Sequence, residues 1–230
     1  MEGSEINNIS HIKILGNKFL SAEQYLEYSQ LSDIVNEDDI SPSIIRDRLS
    51  KHPYIKNIDV VKEERGIVKI LIFERKFDAV ILQNSEKFLI CESAEIVPLV
   101  KSTSNINLPV IINNLKNYKA DVFSNACSND RLFQALKIIT TAEIYDQVLF
   151  NNISEINIYN ENISIQLIDF PSLIYFGIDH EIEKTVYLSK IFKRIKRNKY
   201  SDYLDYIDLR FEELVYLGFD EKFINDKENI

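Results

Sequence analysis

Three histidines are the residues of this chain best suited to acid–base or metal chemistry, and they are scattered. Only His180 has acidic neighbours, Asp179 and Glu181, whereas His11 and His52 stand apart from other such groups. An imidazole beside a carboxylate can bind a metal or move a proton, but a turn leading into a helix explains the same three residues. No HExxH, GxSxG, P-loop or GxGxxG motif occurs. We therefore predict that the chain is not an enzyme and uses no metal and no cofactor. The alternative hypothesis, in which the chain is an enzyme, is a hydrolase of a new type with a pocket around His180.

The two cysteines, Cys91 and Cys127, lie far apart and neither belongs to a CxxC pair. Their spacing fits no zinc site. A disulfide is possible in principle, but the sequence favours two unpaired, buried thiols. Cysteine usage therefore leaves the cellular compartment open.

Composition predicts a globular protein with an uneven distribution of charge. The 230 residues are 45% hydrophobic and the net charge is −9, which argues against a general nucleic-acid binder. Residues 181–200 nevertheless carry seven Lys and Arg against Glu181 and Glu183. There is no apolar run of membrane-spanning length and no signal peptide.

The basic segment 181–199 reads as an amphipathic helix, because one apolar stripe recurs at helical spacing. Its cations then have two interpretations. They form a solvated face on a helix packed against the core, or a surface for anionic lipid headgroups or an acidic partner. The stripe consists of Leu188, Ile191, Phe192 and Ile195.

The first part of the chain predicts the order strand, helix, helix, strand, strand. A strand at His11–Asn17 ends in a Gly-Asn turn, and Ser21 with Gln24 forms a capping box for the first helix. Ser41 and Pro42 begin the second helix, with Ile40 and Ile45 as a hydrophobic staple. Two strands then meet at the Arg65-Gly66 turn.

The second part predicts a mixed sheet with helices. The last predicted strand, Tyr206–Phe211, alternates in polarity. Ile207, Leu209 and Phe211 should face the core, and Tyr206, Asp208 and Arg210 should face solvent. The other predicted elements are strands at 79–83, 87–91, 95–100, 108–113, both sides of 160–162 and 173–178, and a helix at about 131–150.

Four stretches together resemble a known family. HIKILGNKFLSAEQ, from His11, and IVKILIFERKFDAV, from Ile67, look like a POTRA domain, which has the βααββ order. LPVI at 108–111 and YIDLRF at 206–211 follow in the order found in FtsQ/DivIB, a bacterial cell-division protein. The resemblance covers about residues 10–217. Lys76-Phe77 stands where the family usually has a proline, and Asn113-Asn114 where it commonly has a glycine.

This resemblance implies an α+β protein, with a POTRA domain at 10–76, an FtsQ-type β domain at 77–217 and a tail at 218–230. It implies a divisome scaffold that binds the FtsB–FtsL pair through its C-terminal edge strand. The POTRA domain would recruit it through other divisome proteins. A single membrane span, absent from this sequence, would hold it in the plasma membrane with this part outside, at the septum. The alternative is another POTRA-bearing envelope protein, of outer-membrane assembly or secretion.

The C-terminal strand is predicted to be an open sheet edge, since neither Pro nor Lys occurs between Tyr203 and Glu221 to protect it. A partner strand could add there by β-augmentation. An interior strand, paired on both sides, is the other interpretation. The predicted partner-binding residues are Tyr206, Asp208, Arg210, Glu212, Leu214, Tyr216 and Phe219.

Two further expectations follow from the resemblance. The native gene should encode the membrane span just before about residue 5, which the upstream reading frame tests. A fragment of residues 77–230 should fold alone and still bind the division partner.

Overall fold

The computed structural model describes residues 9–32, 41–198, 203–212 and 214–220, which form two compact units. The first unit is built from the described residues up to Lys76 together with Leu99–Asn107. The second contains Phe77–Pro98 and the described residues from Leu108 onward. None of the helices in these ranges has the length and hydropathy needed to span a bilayer.

The first unit confirms the predicted βααββ order. Its three strands form a sheet in the order β1-β3-β2, with β1 parallel and β2 antiparallel to β3. A short 3-10 helix at Glu64–Gly66 joins the last two strands. The elements are β1 (His11–Leu15), α1 (Ala22–Tyr28), α2 (Pro42–Ser50), β2 (Ile55–Lys62) and β3 (Ile67–Glu74).

Both helices begin where the sequence predicts. The Ser21 hydroxyl accepts from the Gln24 amide at 3.2 Å, and the Gln24 side chain accepts from the Ser21 amide at 2.7 Å. Ser41 caps α2 by accepting from the Ile44 amide, and Pro42 occupies the first turn. Ile40, the first half of the predicted second staple, lies outside the described residues.

A glycine and a partly buried carboxylate fix the turn after β1. Gly16 has φ +88°, and a Cβ there would lie 2.3 Å from the Ile72 carbonyl oxygen, so no larger residue fits. Glu74, at the end of β3, holds the residues that follow the Gly16 turn in place. Its carboxylate accepts from the Lys18 amide at 2.9 Å, the Phe19 amide at 3.1 Å and the Tyr25 hydroxyl at 2.5 Å.

The segment Leu99–Asn107 belongs to the first unit, whereas the predicted division runs the second domain unbroken from 77 to 217. Its anchor is the hydroxyl of Tyr54, a fully buried side chain. That oxygen accepts from the Val100 amide at 2.9 Å and lies 2.8 Å from Thr103 Oγ1. Further along, the Ser104 amide donates to the Phe19 carbonyl at 2.9 Å. This polar segment is therefore held in the first unit by specific hydrogen bonds.

The second unit is a mixed sheet packed with helices, as predicted. Its described residues form nine strands and three α-helices, and the last strand was not predicted. The strand order is β12-β11-β10-β9-β8-β7-β4-β5-β6, and β4/β7, β7/β8 and β10/β11 are the parallel pairs. The strands are β4 (Phe77–Gln83), β5 (Glu86–Cys91), β6 (Ile96–Pro98), β7 (Val110–Asn113), β8 (Ile153–Ile158), β9 (Ile163–Leu167), β10 (Phe170–Tyr175), β11 (Leu204–Asp208) and β12 (Tyr216–Phe219). The helices are α3 (Asp130–Tyr145), α4 (Gln147–Asn152) and α5 (Glu181–Asn198).

The single helix predicted at 131–150 is two helices, because Asp146 ends α3 and caps α4. Its carboxylate accepts from the amides of Val148 and Leu149. It also receives the Ser189 hydroxyl and, at 2.8 Å, the Lys193 ammonium from α5. Burial alone would raise the pKa of Asp146, but the Lys193 ammonium and these hydrogen-bond donors outweigh it and hold the pKa below its usual range.

The predicted apolar stripe of α5 packs into the core. Leu188, Phe192 and Ile195 are buried, and Ile191 is partly buried against the same cluster. Neither thiol is part of a disulfide, as predicted, but only Cys91 is buried. The expectation of a buried Cys127 is wrong, because that residue is exposed.

His52 is a buried, unprotonated histidine in the first unit. It is 1% exposed, and its ring lies edge-on to Tyr25, Tyr28 and Tyr54, with centroids 4.7, 4.3 and 5.2 Å away. Its Nδ1 accepts from the Tyr54 amide at 3.1 Å. Burial lowers the pKa of His52 from 6.5 to about 4.

We expect the folded first unit to lose stability as the pH falls from 6.5 towards 4. In that window the unfolded chain protonates His52 and the folded chain does not, which costs about 3 kcal/mol in all. His52→Asn keeps an acceptor near Nδ1 but does not titrate. Urea unfolding of both proteins across this range should show their free-energy difference changing with pH. A constant difference would contradict the assignment, and exposed His11→Asn controls for loss of a histidine.

We also expect Tyr54→Phe to release the segment Leu99–Asn107. Losing the two contacts of the hydroxyl should cost about 1 kcal/mol each. The exposed residue Lys101 should then be cleaved faster by trypsin, because its backbone is less firmly held. Tyr25→Phe is the matched control, because its hydroxyl bonds Glu74 and not the segment. Equal cleavage at Lys101 in the two variants would show that Tyr54 does not anchor it.

Candidate partner-binding surface

The predicted edge strand at Tyr206–Phe211 is an interior strand, so that prediction is wrong. β11 pairs in parallel with β10 on one side and antiparallel with β12 on the other. The chain leaves β11 at Asp208, turns, and returns as β12 at Tyr216. The end of the sheet in the described part of the chain is therefore β12.

Asp208 was predicted to face solvent, but it is only 5% exposed. Arg210 covers it and neutralises its charge. The Arg210 amide and Nε donate to Oδ1 at 3.0 and 2.9 Å, and an Nη donates to Oδ2 at 2.6 Å. These hydrogen bonds hold the pKa of Asp208 below its ordinary value against the opposing effect of burial.

Phe211 was predicted to face the core, but it is half exposed. The alternation stops at Asp208 because Arg210 folds back onto it, and Phe211 then falls in the turn. Its ring meets Tyr216 across that turn, with centroids 4.9 Å apart in an edge-on arrangement. Leu209 is buried, as the pattern predicts.

An aromatic column supports β12 from its neighbours. The Tyr206 ring lies over Gly218, where a Cβ would come within 2.2 Å of it. Tyr206 also lies edge-on to Tyr175 at 5.9 Å, and the Arg210 guanidinium sits 4.8 Å from the Tyr175 ring. Glycine at 218 therefore lets the last strand approach the column closely.

A cleft of about 560 Å³ lies beside this turn, between the start of α5 and the end of β11. Gly177, at φ +84°, leaves room there for two cationic side chains. A Cβ on this residue would lie 3.3 Å from Lys184 Nζ and 3.4 Å from Arg210 Cγ. Lys184 forms an ion pair with Asp179 and so lowers the pKa of that carboxyl. The lining residues are Asp179, His180, Glu183, Lys184, Tyr187, Leu209, Arg210, Phe211, Glu212, Leu214 and Val215.

His180 fits the turn interpretation. Its backbone has φ +52°, and its carbonyl accepts from the Lys184 amide at the start of α5. In the described ranges, no three His, Cys, Asp or Glu side chains come together as a metal site would require. The cleft thus combines ion pairs with exposed aromatic and aliphatic groups, a composition suited to binding another chain.

The structure distributes the predicted binding residues over two neighbouring places. Arg210, Glu212 and Leu214 line the cleft. Tyr206 and Asp208 belong to β11, and Tyr216 and Phe219 belong to β12. Sequence reasoning missed Lys184 and Tyr187, which α5 contributes. α5 connects β10 to β11, and these two strands are parallel, so their carboxyl ends lie side by side. The start of α5, which follows the end of β10, therefore lies next to the end of β11.

Parts of this chain are similar to a known family of domains and to known proteins. Residues 7–75 match the family described as the POTRA domain, FtsQ-type. The cell division protein DivIB of Clostridium acetobutylicum is 24% identical over 194 residues, covering 81% of this chain and 77% of that protein. The extracytoplasmic domain of DivIB from Geobacillus stearothermophilus overlaps 55% of this chain and 98% of its own, with 13% identity and a TM-score of 0.35.

We expect Arg210→Gln to destabilise the second unit by about 1–3 kcal/mol, because the Asp208 carboxylate would stay buried without its cation. Asp208→Asn in the same chain should recover part of that loss. The contribution of the pair should be full above the unfolded pKa of about 3.9 and disappear as the pH falls through the lowered folded pKa. Urea unfolding of the single and double variants measures this.

Arg194→Gln is the matched control, since Arg194 is exposed and makes no ion pair with a described residue. If it costs as much as Arg210→Gln, or if the double variant recovers nothing, the pair does not act as described.

Proposed function

We propose that this chain is a non-catalytic divisome scaffold of the FtsQ/DivIB type that binds an FtsB–FtsL-like partner through β12. The match of residues 7–75 to the FtsQ-type POTRA domain and the likeness to DivIB of Clostridium acetobutylicum support this proposal. The observation that carries the proposal is the position of β12. It ends the nine-stranded sheet, and β11 is its one strand neighbour within the described ranges. The end strand of a sheet can accept a strand from another protein on its outer side.

The backbone of β12 supports this use. The Asp220 amide donates to the Tyr203 carbonyl at 2.9 Å, so this amide faces β11. N–H groups alternate in direction along a strand, and the Leu217 N–H therefore faces away from β11. A partner strand added on that side would receive this hydrogen bond.

Side chains near β12 offer the specificity that backbone bonds lack. Tyr216 and Leu217 are exposed on the strand, and Phe211 and Leu214 are exposed beside the cleft. Apolar and aromatic groups at such positions dominate the binding energy of many interfaces. Arg210 is 46% exposed despite its pairing with Asp208, so it can also meet a carboxylate of the partner.

The remaining parts of the proposal concern recruitment and place. The POTRA domain recruits the protein to the division site through other divisome proteins. A single span holds the protein in the plasma membrane, with both units outside the cytoplasm at the septum. The chain performs no chemistry and needs no cofactor. The second unit contains one run of strand, helix, helix, strand, strand, from β7 to β9, but its strands pair differently from those of the first unit. β7 pairs with β8, the next strand along the chain, whereas β1 pairs with β3. A tandem-POTRA assembly or secretion component would repeat the pairing of the first unit.

We expect Leu217→Pro to weaken binding of the soluble FtsB homologue by about 1–3 kcal/mol, because it removes an outward N–H from the strand. Leu217→Ala is the matched control, since it shortens the same side chain and keeps the N–H. Isothermal titration of both variants, after circular dichroism has shown them folded, separates the backbone contribution from that of the side chain.

Arg210→Glu should weaken the same complex by reversing a charge beside the edge. Because this substitution also removes the cation from Asp208, its stability to urea must be measured as well. The loss of affinity is then interpreted at conditions where the variant is folded. Unchanged affinity in folded Leu217→Pro would rule out strand addition at β12. Unchanged affinity in every variant would place the partner elsewhere.

A further inference from the structure

We propose that the outer face of α5 binds anionic phospholipid headgroups at a membrane surface. The face is formed by Lys190, Arg194 and Arg197, which are exposed and follow one another at intervals of four and three residues. Residues at these intervals lie on one side of a helix, so the three cations form a row about 10 Å long.

The packing of α5 fixes the orientation of this row. Leu188, Phe192 and Ile195 are buried in the core of the second unit. The opposite side of the helix must therefore face outward, and the helix cannot turn its apolar stripe towards a bilayer. Contact with a membrane would therefore use the polar outer face, with the helix lying along the surface and not inserted in it.

The cations of the row differ from the other cations of α5 in their ion pairing. Lys184, Lys193 and Lys196 pair with Asp179, Asp146 and Asp169. Lys190, Arg194 and Arg197, in contrast, form no ion pair with any described carboxylate. They stand out further because the whole chain carries a net charge of −9.

Two neighbours of the row bear on what it binds. Tyr187 is half exposed one turn before Lys190, whose ammonium lies 5.7 Å from the Tyr187 ring. An amphipathic ring beside cations is typical of residues at the level of lipid headgroups. Glu183 is the acidic residue on the same side, two turns before Lys190, so the positive charge is concentrated in the C-terminal half of the helix.

The shape and composition of this face favour a lipid surface over an acidic peptide. Protein interfaces are depleted of charged residues at their cores, and a few well-packed anchor residues carry most of their binding energy. Here the face is the convex side of a helix, and its centre is cationic. Headgroups need no pocket, because basic residues attract an anionic surface additively and within the Debye length. The proposal does not depend on partner binding at β12, which lies on a different element.

The experiment measures sedimentation of the whole chain with vesicles of phosphatidylcholine containing phosphatidylglycerol, and with vesicles of phosphatidylcholine alone. We expect binding to the anionic vesicles alone, weakening as salt rises from about 50 mM to about 200 mM. The triple variant Lys190→Gln, Arg194→Gln, Arg197→Gln should partition about a hundredfold more weakly, or about fivefold for each charge removed.

The matched control removes three cations of the same unit from other elements, by Lys87→Gln, Lys116→Gln and Lys119→Gln. These residues are exposed, and the control has the same net charge as the triple variant of α5. It should keep nearly all of the binding to anionic vesicles, and both proteins should show the thermal unfolding of the parent chain.

Three results would overturn the proposal. They are equal losses in the two triple variants, binding that persists on neutral vesicles, and no binding to anionic vesicles. If a polyglutamate peptide saturates the row one to one while anionic vesicles do not bind, the face is a site for an acidic protein segment and the lipid assignment is wrong.

Discussion

A single buried charge decides how the last strands of this protein are arranged. A carboxylate out of water requires a cation and hydrogen bonds close at hand, and Asp208 obtains both from Arg210, two residues further along. To supply them the chain must leave the strand and close a tight turn around the carboxylate. β11 therefore ends, Phe211 is carried out of the core, and the chain returns as β12. The position of β12 beside Tyr206, and the side of the cleft that Arg210 and Phe211 line, follow from that turn.

The two ends of the nine-stranded sheet are treated differently. At the β6 end, Ile96 exchanges hydrogen bonds with Ser124 and Phe123, at 2.9 and 2.6 Å, and Pro98 removes a donor from the strand. That end is covered in the way that protects natural sheets from unwanted pairing. The β12 end carries exposed Tyr216 and Leu217 instead.

Local sequence patterns were enough to predict the order of elements in the first unit. They failed in the second unit, where the orientation of a side chain depends on contacts that a local pattern does not show. The capping box at Ser21 and the Gly16 turn are written in adjacent residues, so the βααββ order could be predicted. Alternation alone placed Asp208 in solvent, because a period of two cannot show that Arg210 will fold back on it. Nor could the sequence show that α5 brings Lys184 to the end of β11, since that depends on which strands become neighbours.

The hydrogen bonds between Tyr54 and the segment Leu99–Asn107 impose an order of events on a chain made from its N-terminus. The first unit is not complete until residue 107 has been synthesised, and by then β4, β5 and β6 have also been made. A growing chain that stops at residue 76 would leave the Tyr54 hydroxyl without the partners it has in the finished protein. The first unit can therefore complete its hydrogen bonds only after the β4–β5 hairpin of the second unit has been synthesised. Its contacts also span more of the sequence than they would if residues 9–76 formed the unit alone, which raises its contact order.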